Sequence, residues 1–228
     1  MSRELMYTLI LACSFLLLFT VSEILYHFAK VEAEKTRKLV HVGTGLLTLL
    51  FPILLTNHWS VLLLCSSFLV ILLLSLRFDL LKSINKIDRV SRGSLIYPFV
   101  VYILFLAFSS YDQLLFFYLP VVVLAVSDPL ASLAGKCWPY GKYRLKNETK
   151  TLVGSTMFFA SAFVISVLLI AGFTELQTSE IIMLSILVSI ITALVEAVSY
   201  RGYDNLFIPM SALAILMMFQ NLEILNLL

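Results

Sequence analysis

The sequence predicts an all-α, polytopic membrane bundle of about eight transmembrane helices, and three observations carry that class. Of 228 residues, 61% are hydrophobic and 13% charged, with a mean hydropathy of +0.99; soluble domains run nearer half apolar and a quarter charged. The apolar residues form continuous runs of about 20, enough to cross a bilayer as a helix, rather than the shorter alternating segments of a barrel. The basic residues alternate loop by loop: fifteen of the sixteen Lys and Arg follow odd-numbered runs, and only Arg3 lies on the opposite side. This asymmetry predicts cytoplasmic loops at about 30–38, 77–93, 135–151 and 201–204, with both termini on the non-cytoplasmic side. The composition excludes a disordered chain and a disulfide-rich module, and a net charge of +2 excludes a general nucleic-acid binder. Cys13, Cys65 and Cys137 form no disulfide or zinc pattern.

The runs are taken in order as one integral membrane domain, 1–228. The first, about 5–29, is too long for a cleavable leader and carries Glu23 deep within it; His27, four residues on, shares its helix face and can pair with it. A basic loop leads to the second run, about 39–56, which opens beside His41, and the short 56–58 turn leads to the third, about 59–76. Arg77, Lys82, Lys86, Arg89 and Arg92 fill the next loop. Runs four and five, about 94–110 and 113–134, hold Tyr97, Phe99, Tyr102, Phe105, Phe116, Phe117 and Tyr118, either as packing or as the lining of an apolar groove. Ser127-Asp128-Pro129 interrupts the fifth. Run six, about 152–172, opens just after Lys150-Thr151 and includes Gly154-Ser155; run seven, about 180–200, contains Glu196; run eight, about 205–224, follows Asp204.

Charges in hydrocarbon are costly and mark function by default. Glu23, Asp128, Glu196 and Asp204 all fall in the third of the membrane beside the basic loops, and no span carries an interior charge in the opposite half. A transporter usually places its polar site near the midplane, between broken helices. A polar shelf at one interface instead suits chemistry between a water-soluble reagent and a lipid head group.

Residues 127–155, SDPLASLAGKCWPYGKYRLKNETKTLVGS, hold the ingredients of a phosphate site. Gly135-Lys136 and Gly141-Lys142 repeat a Gly-Lys pair, and Lys150, Thr151, Gly154 and Ser155 stand at the start of run six. Glycines let backbone N–H groups face phosphate oxygens, lysines neutralise them, and a helix N-terminus favours an anion. Asp128 is suited to Mg2+, which takes carboxylate plus phosphate oxygens. The loop is not a Walker A sequence, and a solvated, turn-rich loop is the competing account.

The stretch SDPLASLAGK-(x)4-GK-(x)7-KTLVGS resembles the CTP-dependent lipid-alcohol kinases: dolichol kinase, phytol kinase and the yeast-type diacylglycerol kinase. Arg37-Lys38-Leu39-Val40-His41-Val42-Gly43 is similar to the element near that family's N-terminus. Arg92-Gly93-Ser94 with Tyr97-Pro98 is similar to the one opening a middle span. Glu196-Ala197-Val198-Ser199 and Gly202-Tyr203-Asp204-Asn205-Leu206 with Pro209 are similar to the C-terminal element. The family's usual acidic pair is represented here by Asp128 alone, followed by Pro129.

The resemblance implies transfer of the γ-phosphoryl group of CTP to the hydroxyl of a lipid alcohol (a polyprenol or dolichol, phytol or another prenol, or diacylglycerol). The residues then take expected roles. Gly135, Lys136, Gly141, Lys142, Lys150, Thr151, Gly154 and Ser155 bind the nucleotide. Asp128 and Glu196 hold Mg2+. Glu196, Asp204 and His41 are candidates for the group that takes the hydroxyl proton. Arg37, Lys38 and Asn205 clamp phosphate or substrate, or alternatively anchor and cap their helices. Two rivals stay open: a phosphatidate cytidylyltransferase-like CTP enzyme and a small non-enzymatic transporter. The short chain, without a targeting extension, suggests a prokaryotic plasma membrane with the active face cytoplasmic.

Overall fold

The computed structural model describes residues 3–86, 92–146 and 148–222. Arg89, part of the 77–93 loop and the last two positions of the eighth run lie outside the described residues. The elements are α1 (Arg3–His27), α2 (Ala33–Thr48), α3 (Phe51–Leu54), α4 (His58–Arg77), α5 (Lys82–Asn85), α6 (Gly93–Tyr111), α7 (Leu115–Val122), a π-helical turn (Val123–Ser127), α8 (Asp128–Cys137), strands β1 (Lys142–Leu145) and β2 (Glu148–Thr151), α9 (Leu152–Phe173), α10 (Thr178–Val198) and α11 (Asp204–Asn221). Among the described residues, seven helical units are long and apolar enough to cross a membrane: α1, α2 with α3, α4, α6, α7 through α8, α9 and α10. The eighth expected run forms helix α11, which is not one of the seven: it opens on Asp204-Asn205 and ends on Gln220-Asn221, and these polar ends lower its hydropathy.

The outside of the bundle explains its solvent. Leu17, Leu63, Leu168 and Leu194 are each about 60% exposed on separate helices. A soluble protein does not tolerate apolar surface on this scale; hydrocarbon does. The chain is a multi-pass membrane protein. Its central unit is α7 through α8, of whose most apolar stretch 61% is buried against 22–33% in the other six. Phe116, Phe117, Leu119 and Val123 on it are fully enclosed. A helix apolar on every face belongs in the middle.

Acidic side chains fix both ends of α1. Glu4 accepts hydrogen bonds from the Thr56 hydroxyl at 3.0 Å and the Asn57 N–H at 3.2 Å. Glu23 accepts from the Ser83 N–H at 2.8 Å and pairs with His27 at 3.1 Å. Glu23 is therefore a structural tie to α5.

Residues 142–151, expected as part of a turn-rich loop, form an antiparallel hairpin with Lys142 opposite Thr151 and Leu145 opposite Glu148. Gly141 takes a left-handed φ of +66° to enter it. A Cβ there would lie 2.6–2.8 Å from the Leu152 side chain. The hairpin delivers Lys150 and Thr151 directly to the start of α9.

Candidate functional site

The π-helical turn shapes the first wall. It ends at Asp128, where Pro129 has no N–H to donate. In π pairing the carbonyl of Leu124 would be served by residue 129, a proline with no N–H to give. His41 of α2 fills the gap: its Nε2 lies 3.3 Å from the Leu124 oxygen, and 3.9 Å from an Asp128 carboxylate oxygen. A carbonyl only accepts, so Nε2 carries the proton in this contact. The approach of α2 is set by Gly45, where a Cβ would stand 2.4 Å from that of Ala125 in the π turn.

The second wall is the start of α9 against the end of α10. Lys150 extends from β2 to the Glu196 carboxylate, Nζ to Oε1 2.6 Å, and also donates to the Glu196 backbone carbonyl. The two side chains are 14% and 9% exposed. Ser155 donates to the other Glu196 oxygen at 3.4 Å and lies 3.0 Å from the Tyr143 hydroxyl. Thr151 caps α9 by accepting the Gly154 N–H at 3.0 Å. Gly135 lets α8 approach this turn, since a Cβ there would meet the Thr151 hydroxyl at 2.6 Å. The third wall is the turn into α11. Asp204 accepts the Asn205 N–H at 2.9 Å, and Gly93 leaves room for the Asn205 amide, which a Cβ would meet at 2.5 Å.

These walls enclose one polar cavity of about 710 Å3 at the basic-loop end of the bundle. Asp128, Glu196, Asp204, His41, Gly135, Lys136, Lys150, Thr151, Gly154, Ser155, Arg37, Lys38 and Asn205 all line it. Gly141 and Lys142 do not: the turn into β1 packs Gly141 on Leu152, and Lys142 is exposed. Glu32, Glu34, Lys86, Ser132, Glu148 and Thr149 line it without having been expected. Glu34 had a signal, because Glu34, Arg37, Lys38 and His41 fall at helical spacing on one face; its carboxylate is 3.6 Å from the Lys136 ammonium. Glu148, on an unforeseen strand, had none. Its carboxylate accepts the Arg201 N–H at 2.8 Å.

A second, apolar cavity of about 90 Å3 lies between α1, α2, α4 and α6, and Arg37, His41 and Asn205 line both. Of the seven aromatics expected to offer a groove, only Tyr97 lines it. Phe105, Phe116 and Phe117 are fully buried packing and Phe99 faces outward.

Magnesium bound with a nucleotide needs only one or two carboxylates, the phosphates and water supplying the rest. Asp128 and Asp204 on the cavity wall suit that pattern. Among the described residues, no group of three or more His, Cys, Asp or Glu forms a protein-only cage. Glu196, expected as a ligand, has the Lys150 ammonium on its Oε1 instead, so a metal there would have to displace a buried counter-ion.

The phytol kinase of Synechocystis sp. is similar to this chain, at 28% identity over 194 residues that cover 84% of this chain and 82% of that protein. No family model and no solved structure matches.

Proposed function

We propose, from the similarity to a phytol kinase and the geometry of the site, that the chain is a lipid-alcohol kinase that transfers the γ-phosphoryl group of CTP to the hydroxyl of a membrane-embedded lipid alcohol at the cytoplasmic interface. The observation that carries this reading is the adjacency of the two cavities: a polar chamber and an apolar one share Arg37, His41 and Asn205 in their linings. The first has the charge and volume for a triphosphate, and the second offers an apolar site for the hydroxyl end of a lipid chain.

Phosphoryl transfer asks mainly for positioning and charge neutralisation. Lys136 and Lys150 supply positive charge, and Arg37 and Lys38 supply more from α2. The backbone at the start of α9 supplies an anion-favouring helix terminus. Of the three candidates for the proton acceptor, Glu196 is held by Lys150, and Asp204 lines only the polar chamber. His41 lines both cavities. Its Nε2–H is held by Leu124 and steered by Asp128, which leaves the lone pair on Nδ1 to take the hydroxyl proton. The alcohol oxygen then bonds to the γ-phosphorus, the bridging bond to the β-phosphate breaks, and CDP leaves. Asp128, with Asp204, would hold Mg2+, which when bound neutralises phosphate charge.

The test is a membrane assay with labelled CTP or ATP and a panel of prenols, phytol, polyprenol and diacylglycerol. A phosphorylated alcohol plus CDP is expected, with Asp128→Asn slowing transfer. A CDP-lipid plus pyrophosphate would overturn the reading in favour of a cytidylyltransferase. Absence of nucleotide turnover and binding would overturn it in favour of a non-enzymatic protein.

A further inference from the structure

The apolar channel follows helix α2. Arg37, Val40, His41, Thr44 and Thr48 line it at helical spacing, and Phe51 continues the line in α3. From Arg37 to Thr48 this is about 16 Å at 1.5 Å per residue. The opposite walls are equally regular: Phe15 and Phe19 on α1, Cys65, Phe68 and Leu72 on α4, and Ser94, Tyr97, Pro98 and Val101 on α6. The two ionisable side chains of the lining that lie beside the polar chamber are Arg37 and His41, both near the end the cavities share. The far half is closed by aromatic rings, with Phe15 centred 4.9 Å from Phe68 and 6.0 Å from Phe51, and Phe19 5.9 Å from Phe68.

We propose that this channel is the binding site for the chain of the acceptor, which threads a single hydrocarbon tail into the bundle along α2 rather than leaving it in the lipid, and that Phe15, Phe51 and Phe68 set the chain length accepted. The inference rests on the kinase reading for the identity of the head group. One chain is the smaller demand on a cavity of about 90 Å3, and a second would double the widening needed. An apolar cavity of about 150 Å3 holds one benzene, so the channel as it stands takes only a few carbons, and the tail widens it by turning the phenylalanine rings. A single-tailed prenol can do this. A diacylglycerol, with its second chain attached next to the hydroxyl, cannot seat both tails. The competing route is the outward groove between α9 and α10, lined by Leu152, Ser155, Phe159, Ile190 and Leu194, which also touches the polar chamber through Ser155. That groove opens broadly on the lipid side and would select for neither tail number nor length.

A long-chain prenol carrying a diazirine at its tail end, added to the protein in phosphatidylcholine nanodiscs, separates the two routes. Photolabelling on Phe15, Phe51 or Phe68 is expected; labelling on Phe159, Ile190 or Leu194 overturns the channel. Phosphorylation of the same probe is measured in parallel. Turnover with labelling in the α9–α10 groove sinks the channel and leaves the kinase reading standing. Labelling in the channel without turnover of CTP or ATP sinks the kinase reading and leaves a tail-binding site. As a second measurement, Val101→Phe narrows the channel midway. It should shift the preference between phytol and a five-carbon prenol by about tenfold or more toward the short alcohol. An unchanged preference ratio in a folded variant overturns the proposal.

Discussion

Replacing Lys150 by methionine tests the arrangement at the start of α9. The substitution keeps the length of the side chain and removes only the ammonium. Glu196, 9% exposed, would then lose its 2.6 Å partner and retain only the Ser155 hydroxyl at 3.4 Å. Breaking a buried pair from one side costs about 3–5 kcal/mol, because a charge is left in a poorly polar site; replacing both partners with apolar groups costs little or nothing. For a chain of this size each kcal/mol corresponds to roughly 2–4 °C in the unfolding midpoint. Lys150→Met should therefore lower the midpoint of the detergent-solubilised protein by roughly 6–20 °C. The double variant Lys150→Met with Glu196→Leu should recover most of that loss. Transfer activity should be lost in both, because the proposed mechanism uses the Lys150 charge to neutralise the nucleotide as well. If the single variant unfolds within about 1 kcal/mol of the parent, or the double variant is no more stable than the single one, the buried pair is not what joins the hairpin to α10.

Gly45→Ala should cost about 1–3 kcal/mol by overpacking against Ala125, and should slow transfer more than it weakens nucleotide binding, because it moves α2 one turn from His41. Adding Ala125→Gly should restore both unfolding and rate. Thr151→Val removes the acceptor for the Gly154 N–H and should cost about 1 kcal/mol in thermal unfolding. The Tyr200 phenol, on the surface beside Lys146, donates to no carboxylate and instead receives a hydrogen bond from that ammonium at 2.5 Å, which holds its pKa below the ordinary phenol range. The ammonium favours the phenolate, so this contact adds stability only as pH rises through the lowered value and adds none at neutral pH. Ultraviolet titration should show one early tyrosinate in the parent and its loss in Lys146→Gln.

Much of this was readable from the residues. Apolar runs and alternating basic loops gave the spans, because the cost of charge in hydrocarbon leaves little choice in where Lys and Arg can lie. The same cost singled out Asp128, Glu196 and Asp204, which do share one chamber. Glu23, flagged by the same rule, has structural partners instead: a backbone N–H and His27 satisfy it. The hairpin escaped notice because KYRL and ETKT lack the clear apolar alternation of a strand, and so the displacement of Gly141 and Lys142 from the chamber was hidden too. The Lys150–Glu196 pair joins residues 46 apart, a distance that no local pattern encodes. For the aromatic residues the packing alternative holds for Phe105, Phe116 and Phe117, and chemistry alone does not tell Phe116, locked in the core, from Phe15, beside a void.

The π turn has a geometric consequence for the whole central helix. Widening one turn by a residue advances every later side chain by about 100° around the axis relative to an unbroken α-helix. Upstream of it the helix can be greasy on all sides; downstream, α8 presents Asp128, Ser132 and Gly135 to the aqueous chamber. Deleting one residue among Val123–Ser127 would leave the run just as apolar and as able to insert, yet would swing the carboxylate round toward its neighbours. The chain thus separates two demands along a single rod: burial is written in its composition, and aim is written in its phase.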